Sequence, residues 1–336
     1  MKIGDKCIGT GRTYIIADVG SNFNGNLELA KEYIRAGREI GVDCVKFQTY
    51  TAESLLSPIK PDGKRWEAYD VVRKYELPLS WHPELIECAE KCGVEFLTTP
   101  FSLETVDALN AMGIRAFKVA SGDLTFIPLL KKLGSLGKPI ILSTGMAYPG
   151  EIETAVMRLR QSGSGDVALL HCVSNYPPKY EKVNLRAVET MKQAFDLPVG
   201  LSDHTLDDLT ALGAVALGAC IIEKHITIDK NLDTPDAQFA MTVNEFKIMV
   251  DRIRNLEQAL GSGTKEPVDD ELTERQWARR GVYAKRYIEA GEKLTLENAK
   301  FLRPIWGISA LEWMTYQEST IKRNIFDGEP VMRDDI

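Results

Sequence analysis

Two short stretches carry side chains that could do chemistry at strand ends: GLSDHT, residues 200–205, and EKH, residues 223–225. Each adjoins an apolar run, so each reads as the exit of a buried strand. Side chains two apart on a strand share a face, which puts Glu223 and His225 on one side. His204 and His225 at neighbouring exits would stand close enough to share one cation. With only two protein ligands in view, positions remain open for water and substrate, which suits a Lewis acid better than a structural ion. Lys46, in CVKFQT, and Lys118, in AFKVASGD, set a second requirement. If Val45 and Phe47 pack outward, Lys46 and Gln48 point inward together. A lysine inside a core is costly unless it meets an anion. An internal salt bridge would satisfy one such lysine. Two of them, with the hydroxyls of Ser121, Ser143, Ser174 and Ser202 at strand ends, read as a site for a phosphate or carboxylate.

The elements that must position these residues repeat. Apolar runs at Tyr14–Ala17, Cys44–Phe47, Val94–Leu97, Ala116–Val119, Pro139–Leu142, Val167–Leu170, Pro198–Leu201 and Cys220–Ile222 alternate with helical spacing such as Asn26–Ile40 and Val243–Leu260. Eight strand–helix units predict a (β/α)8 TIM barrel over residues 1–260, with its active site at the C-terminal strand ends. A doubly wound open sheet is the alternative; it would usually show a GxGxxG loop, which this chain lacks. The other exits carry Asp18, Thr99, Asp123 and the segment His171–Tyr176. His82 reads as structural and His171 is left open. The polar stretch 261–276 reads as a linker. Residues 277–336, with short β-type runs, read as a small, mostly β module.

Composition narrows the class. Apolar residues are 44% and charged residues 26%, ordinary for a globular protein. A net charge of −7 argues against nucleic acid or an anionic membrane as partner, though local lysines can still hold an anionic substrate. The chain shows no apolar run long enough to span a bilayer and no signal-peptide pattern, so a cytoplasmic location is the expectation. The six scattered cysteines are expected to be reduced thiols.

Taken together, KFQTY, TTPFS, FKVASGD, ILSTGM, LLHCVSNYP, GLSDHT and EKH resemble, in order, the motifs of the sialic acid synthase family. The tail RRGVYAKRYIEAGEKLTLENAKFLRP is similar to that family's C-terminal antifreeze-like SAF module. The resemblance implies a barrel joined to a SAF domain in a domain-swapped homodimer. It implies condensation of phosphoenolpyruvate with an N-acetylmannosamine-type sugar, release of phosphate, and a divalent cation, Mn2+ or Mg2+. Residue by residue, His204 and His225 match the metal ligands. Lys46, Thr99, Lys118, Ser121, Ser143, Ser202 and, more loosely, Ser174 match the phosphoenolpyruvate site. Gln48, Asp123, Tyr176 and Asp236 fall where the sugar is held. Arg303 and Trp277 match SAF residues that reach the sugar from the partner chain. Asp18 or Glu223 would orient or deprotonate a water.

The chain also departs from the family pattern. Asp18 stands where Glu is typical, Phe23 where a histidine is usual, Asp123 where Glu is frequent, and TPDAQF replaces a GPDH-like loop. QTYTAESL, the Trp66 region and LRPIWG look closer to the pseudaminic acid synthase branch. The acceptor is therefore open between N-acetylmannosamine and the diacetamido-trideoxy hexoses that lead to pseudaminic and legionaminic acids. Two further readings stand beside these. One is a synthase of 3-deoxy sugar acids. The other is a catalytically silent carbohydrate-binding relative, prompted by Asp18 and Phe23.

Overall fold

Eight parallel strands build a nearly closed wall. β1 (Tyr14–Asp18), β2 (Cys44–Thr49), β3 (Glu95–Pro100), β4 (Phe117–Val119), β5 (Ile140–Ser143), β6 (Val167–Cys172), β7 (Val199–Asp203) and β8 (Ile221–Thr227) run parallel in a computed structural model that describes residues 1–336. Hydrogen-bonded neighbours follow the order β3-β2-β1-β8-β7-β6-β5-β4, and β3 packs beside β4 to complete the circle. Each strand is followed by a main helix: α1 (Leu27–Ile40), α2 (His82–Cys92), α3 (Leu103–Ala111), α4 (Ile127–Gly134), α5 (Pro149–Gln161), α6 (Ala187–Phe195), α7 (Leu209–Ala216) and α8 (Val243–Leu260). This is the (β/α)8 barrel that the alternating pattern predicts, and the ring order excludes an open sheet.

Local chemistry sets the element ends. Asn26 caps α1 by accepting from the Glu28 and Leu29 amides, and Gly41 ends it in the left-handed region at φ 79°. The outward residues Ile15, Ala17, Val45, Phe47, Val119, Leu142, Leu169 and Leu201 pack against the helices. The inward residues Tyr14, Ile16, Cys44, Leu97, Ile141, Leu170 and Ile221 form a separate core inside the barrel, closed below by Ile3 and Ile8 from the N-terminal hairpin. This apolar floor leaves the upper half of the barrel for polar side chains.

The strands run past their apolar runs. β8 was expected over Cys220–Ile222 and instead reaches Thr227, through Glu223, Lys224 and His225, all buried. These polar residues stay in the strand because they find partners across the barrel or behind its wall, so hydrophobicity alone marks the strand end too early. His82 is buried and meets Thr49 Oγ1 at 2.7 Å. The His171 ring lies 2.7 Å from the Val183 carbonyl and does not line the barrel cavity. All six cysteines are free. No helix is long and apolar enough to cross a membrane.

The chain divides into two compact units, Met1–Gly261 and Ser262–Ile336. The second holds α9 (Asp269–Ala278) and an antiparallel pair, β9 (Gly281–Ala284) with β10 (Ala299–Leu302). Its core includes Val282, Ile288, Leu294, Ile308, Trp313, Ile321, Ile325 and Val331. Helix α9 occupies the second half of the stretch read as a linker and runs two residues into the segment read as the β module. None of its residues is buried, so no apolar stripe betrays it. Its acidic first turn, Asp269-Asp270-Glu271, complements the positive end of the helix.

Candidate active site

Above the apolar floor, the next inward position on every strand is polar or carries sulfur. Asp18, Lys46, Thr99, Lys118, Ser143, Cys172, Ser202 and Glu223 all line one cavity of about 330 Å³. Gln48, Ser121, Ser174, Tyr176, His204 and His225 line it as well. The alternation read from the sequence therefore brings together both lysines, both histidines and the strand-end hydroxyls. It does not bring Asp123 or Asp236 into the lining. Trp277 and Arg303 belong to the second unit, where Trp277 lies on α9 and Arg303 follows β10, both exposed.

The lysines are not bare in the free protein. Lys46 Nζ lies 2.8 Å from Asp18 Oδ2 and 3.9 Å from Glu223 Oε2. Lys118 Nζ donates to Ser143 Oγ at 2.7 Å and the Val119 carbonyl at 3.1 Å, and reaches Glu223 Oε1 only at 3.5 Å. Ser202 Oγ donates to Glu223 Oε1 at 2.9 Å. The internal salt bridge is therefore present, and it joins both lysines to Asp18 and Glu223 in one cluster. Burial pushes Lys46 down, but the Asp18 and Glu223 carboxylates outweigh it and hold its ammonium above the usual range. Burial holds Lys118 below the usual range, because Glu223 offsets only part of it and Lys46 repels. Burial likewise pushes Asp18 up, but its neighbours, Lys46 above all, hold it at about 2.

The histidine rings lie 5.7 Å apart, centroid to centroid. His204 Nδ1 faces the Val173 carbonyl at 3.1 Å, which leaves Nε2 as its free nitrogen. His225 Nδ1 is buried with no hydrogen-bond partner, and its Nε2 lies 3.6 Å from Asp18 Oδ2. A buried imidazole nitrogen without a partner fits a cation ligand. No group of three or more His, Cys, Asp or Glu side chains is assembled to hold a metal, so two imidazoles fit an open site better than a closed one. Tyr176 packs on His204 at 4.2 Å, and Phe239 meets both Tyr176 and His225 at 5.2 and 5.3 Å.

Two glycines permit this crowding. A Cβ on Gly145 would lie 2.3 Å from Ser174 Oγ and 2.8 Å from Ser121 Oγ. Gly20, at φ +53°, leaves room for Asp236, whose Oδ2 accepts from the Ser21 amide and hydroxyl at 2.7 Å each. A Cβ on Gly20 would also press on the His225 ring, so Asp236 is anchored beside that histidine. Sequence reasoning did not single out Cys172, Met146, Phe101 or Phe239. All four lie within quoted stretches, and the inward alternation that places Ser202 also places Cys172.

Asp123 sits in the turn Ser121–Asp123 after β4 with its Oδ2 buried and unpartnered, and burial pushes it up to about 6. The unfolded chain ionises this carboxyl near ~3.9. A raised folded pKa means that the free-energy cost is absent below the unfolded value and is fully developed above the folded one. Asp123→Asn should therefore stabilise the fold at neutral pH, by on the order of 1 kcal/mol once solvent screening of a partly exposed group is allowed for. It should bring no gain at roughly pH 3 to 4. Thermal melts across that range check this; a Tm difference that does not grow with pH contradicts it.

The fold and this cavity define a (β/α)8-barrel enzyme with a polar, charge-balanced mouth. The family model for the NeuB family matches residues 33–265. An uncharacterized protein of Methanocaldococcus jannaschii is 45% identical over 337 residues, covering 100% of this chain and 98% of that protein. The N,N'-diacetyllegionaminic acid synthase of Campylobacter jejuni is 41% identical, covering 95% and 98%. The pseudaminic acid synthase of Helicobacter pylori is 35% identical, covering 96% and 97%. Among solved structures, the N-acetylneuraminic acid (sialic acid) synthetase of Leptospira borgpetersenii, in complex with citrate, superposes with a TM-score of 0.75 at 34% identity. That match covers 82% of this chain and 94% of that one. The chain belongs to the NeuB family and is an enzyme of that family's synthase class.

Proposed function

We propose that this chain condenses phosphoenolpyruvate with an N-acetylated amino-sugar aldehyde and releases phosphate, forming a nonulosonic acid. The observation that carries the reading is the inward belt of Lys46, Lys118 and hydroxyls directly beneath two histidines. Lys118, Lys46, Ser143, Ser202, Ser121 and Thr99 would hold the phosphate and carboxylate and keep the enol carbon against the aldehyde, an entropic as well as an electrostatic contribution. His204 and His225 would hold a divalent cation, Mn2+ or Mg2+, whose Lewis acidity toward an aldehyde oxygen is the chemistry it supplies.

The new C–C bond turns the aldehyde oxygen into an alkoxide, which takes up a proton to become a hydroxyl, and leaves the former enol carbon electron-poor. Water adds there, its proton goes to a base, and the tetrahedral carbon expels phosphate. Of the two carboxylates proposed for that proton, Glu223 is better placed. Its Oε2 is buried without a hydrogen-bond partner, whereas Asp18 already receives Lys46, Gln48 and the Gly20 amide. The reading extends to Gln48, Tyr176, Asp236 and Asp123 at the sugar end. It also extends to the second unit as a SAF module, with Arg303 and Trp277 completing a partner's site in a homodimer; sedimentation of the full chain tests the dimer.

The higher identity to a legionaminic than to a pseudaminic acid synthase supports the corresponding diacetamido-trideoxy hexose as acceptor. The test is phosphate release from phosphoenolpyruvate with Mn2+ against that sugar, its pseudaminic counterpart and N-acetylmannosamine. Release with the legionaminic precursor is expected. Release with another sugar alone moves the acceptor and keeps the reaction. No release from folded, metal-loaded protein rejects the reaction and favours a silent relative.

A further inference from the structure

Asp203 and Lys224 form an ion pair that the reaction above does not use. They are partners in the β7–β8 ladder, with Lys224 Nζ 2.8 Å from Asp203 Oδ2, and their side chains are each 1% exposed. Ser202 and Glu223 line the cavity, so alternation turns Asp203 and Lys224 to the helix side of the wall. A sealed pair is costly unless its remaining hydrogen-bonding capacity is met. Here it is met locally. Asp203 accepts from the Thr205 amide at 3.0 Å, Thr205 Oγ1 at 3.2 Å and Thr210 Oγ1 at 2.8 Å. Lys224 also donates to the Thr205 carbonyl at 2.5 Å.

The location gives the pair its meaning. Asp203–Lys224 is the last paired rung of β7 on β8, and β7 ends at Asp203. The next inward residues are His204 and His225. β8 continues through His225, which keeps its place opposite Asp18 of β1. His204 lies one residue beyond its strand, where no backbone rung holds it to β8. The bond from Lys224 to the Thr205 carbonyl carries the ladder one step further by side chain, and Asp203 ties the same Thr205 to the start of α7 through Thr210. One histidine is thus fixed by a strand; the other, beyond its strand, rests against the Val173 carbonyl and Tyr176 on a backbone that this clamp holds.

We propose that Asp203 and Lys224 are positioning residues that set the distance and orientation between His204 and His225, and through them the affinity for a divalent cation. The inference rests on the reading that these histidines hold a cation; neither clamp residue touches it. Partners one step removed from a metal ligand commonly govern affinity by roughly 10- to 100-fold.

The test is cation binding without turnover. Free Mn2+ would be followed by electron paramagnetic resonance during titration of the full chain, and bound Co2+ by its visible absorption. The variant Asp203→Asn/Lys224→Met removes both charges together, so no lone buried charge remains. Its Mn2+ affinity should fall by roughly 10- to 100-fold, with a changed Co2+ spectrum. Thr210→Val keeps the pair but takes one donor from Asp203. It should give a smaller loss in the same direction, and it decides the matter if the double variant does not fold. A folded variant of either kind with wild-type Mn2+ affinity and Co2+ spectrum overturns the clamp. His204→Ala/His225→Ala separates the two ideas. If it binds Mn2+ as the wild type does, the cation reading itself fails. If only it loses Mn2+, the clamp alone fails.

Discussion

Lys118→Met should lower phosphate release by a factor on the order of 10³ while leaving the fold as stable as before, or more so. The reason is the environment of that ammonium. Its closest contacts are neutral oxygens, its carboxylate lies at 3.5 Å, and burial holds its pKa below the usual lysine value. A lowered folded pKa means that the charged form is worse off in the folded than in the unfolded protein at neutral pH. The group therefore costs stability until pH rises past both values. Lys46→Met should lose activity to a similar extent but destabilise the protein by on the order of 3–5 kcal/mol, because it strands the buried Asp18 carboxylate. Lys46 has the opposite sign: its pKa is raised, so its stabilisation is complete below the unfolded value and is lost as pH rises through the folded one. Phosphate-release kinetics and thermal unfolding of the two variants check the contrast. Equal destabilisation would make Lys118 a structural ion-pair partner and remove the bound anion as its missing counter-charge.

Much of this was legible because period 2 and period 3.6 are strong signals in a barrel. Val45 and Phe47 do pack on the helices, so Lys46 does point inward, as its neighbours require. The sequence could not say what the lysines meet. Asp18 meets Lys46 because they are paired rungs of β1 and β2, and Glu223 reaches both lysines because β8 closes the ring beside β1, facts of register and topology and not of spacing. The same alternation that puts Glu223 and His225 on one face leaves Lys224 on the other, and there it turns away from the site to meet Asp203. Phe23 looked like a lost functional residue. It is 1% exposed, sits in the helix-side core and meets Trp81 edge to face at 6.4 Å, so it packs behind the wall and does not line the cavity. Helix α9 was missed for the opposite reason: it buries nothing, and only its charge order marks it.

His225 should behave as Lys118 does. His225→Leu and His204→Ala should each reduce phosphate release by a factor on the order of 10³, and chelation of the wild type should do the same until Mn2+ is returned. The double variant should be no worse than either single one, because one imidazole cannot hold the cation that two were needed to hold; residues that act as a unit are not additive. Stability should move the other way for His225. Its Nδ1 is buried without a partner, a loss of hydration that the free protein bears continuously. Leucine removes that unmet nitrogen, so His225→Leu should melt no lower than the wild type when no metal is present. Calorimetric melts with and without Mn2+ make the point directly. The wild type should gain stability from the cation by mass action, and the variant should gain none. A variant that melts well below the metal-free wild type would show that His225 is held by contacts of the fold itself. On the proposed reading Lys118 and His225 share one physical signature: the fold leaves each short of a partner that a bound anion or cation would supply. Lys46 and Asp18, which satisfy each other, do not share it. That difference, more than the presence of charge in a barrel, separates the groups that wait for ligands from those that hold the site open for them.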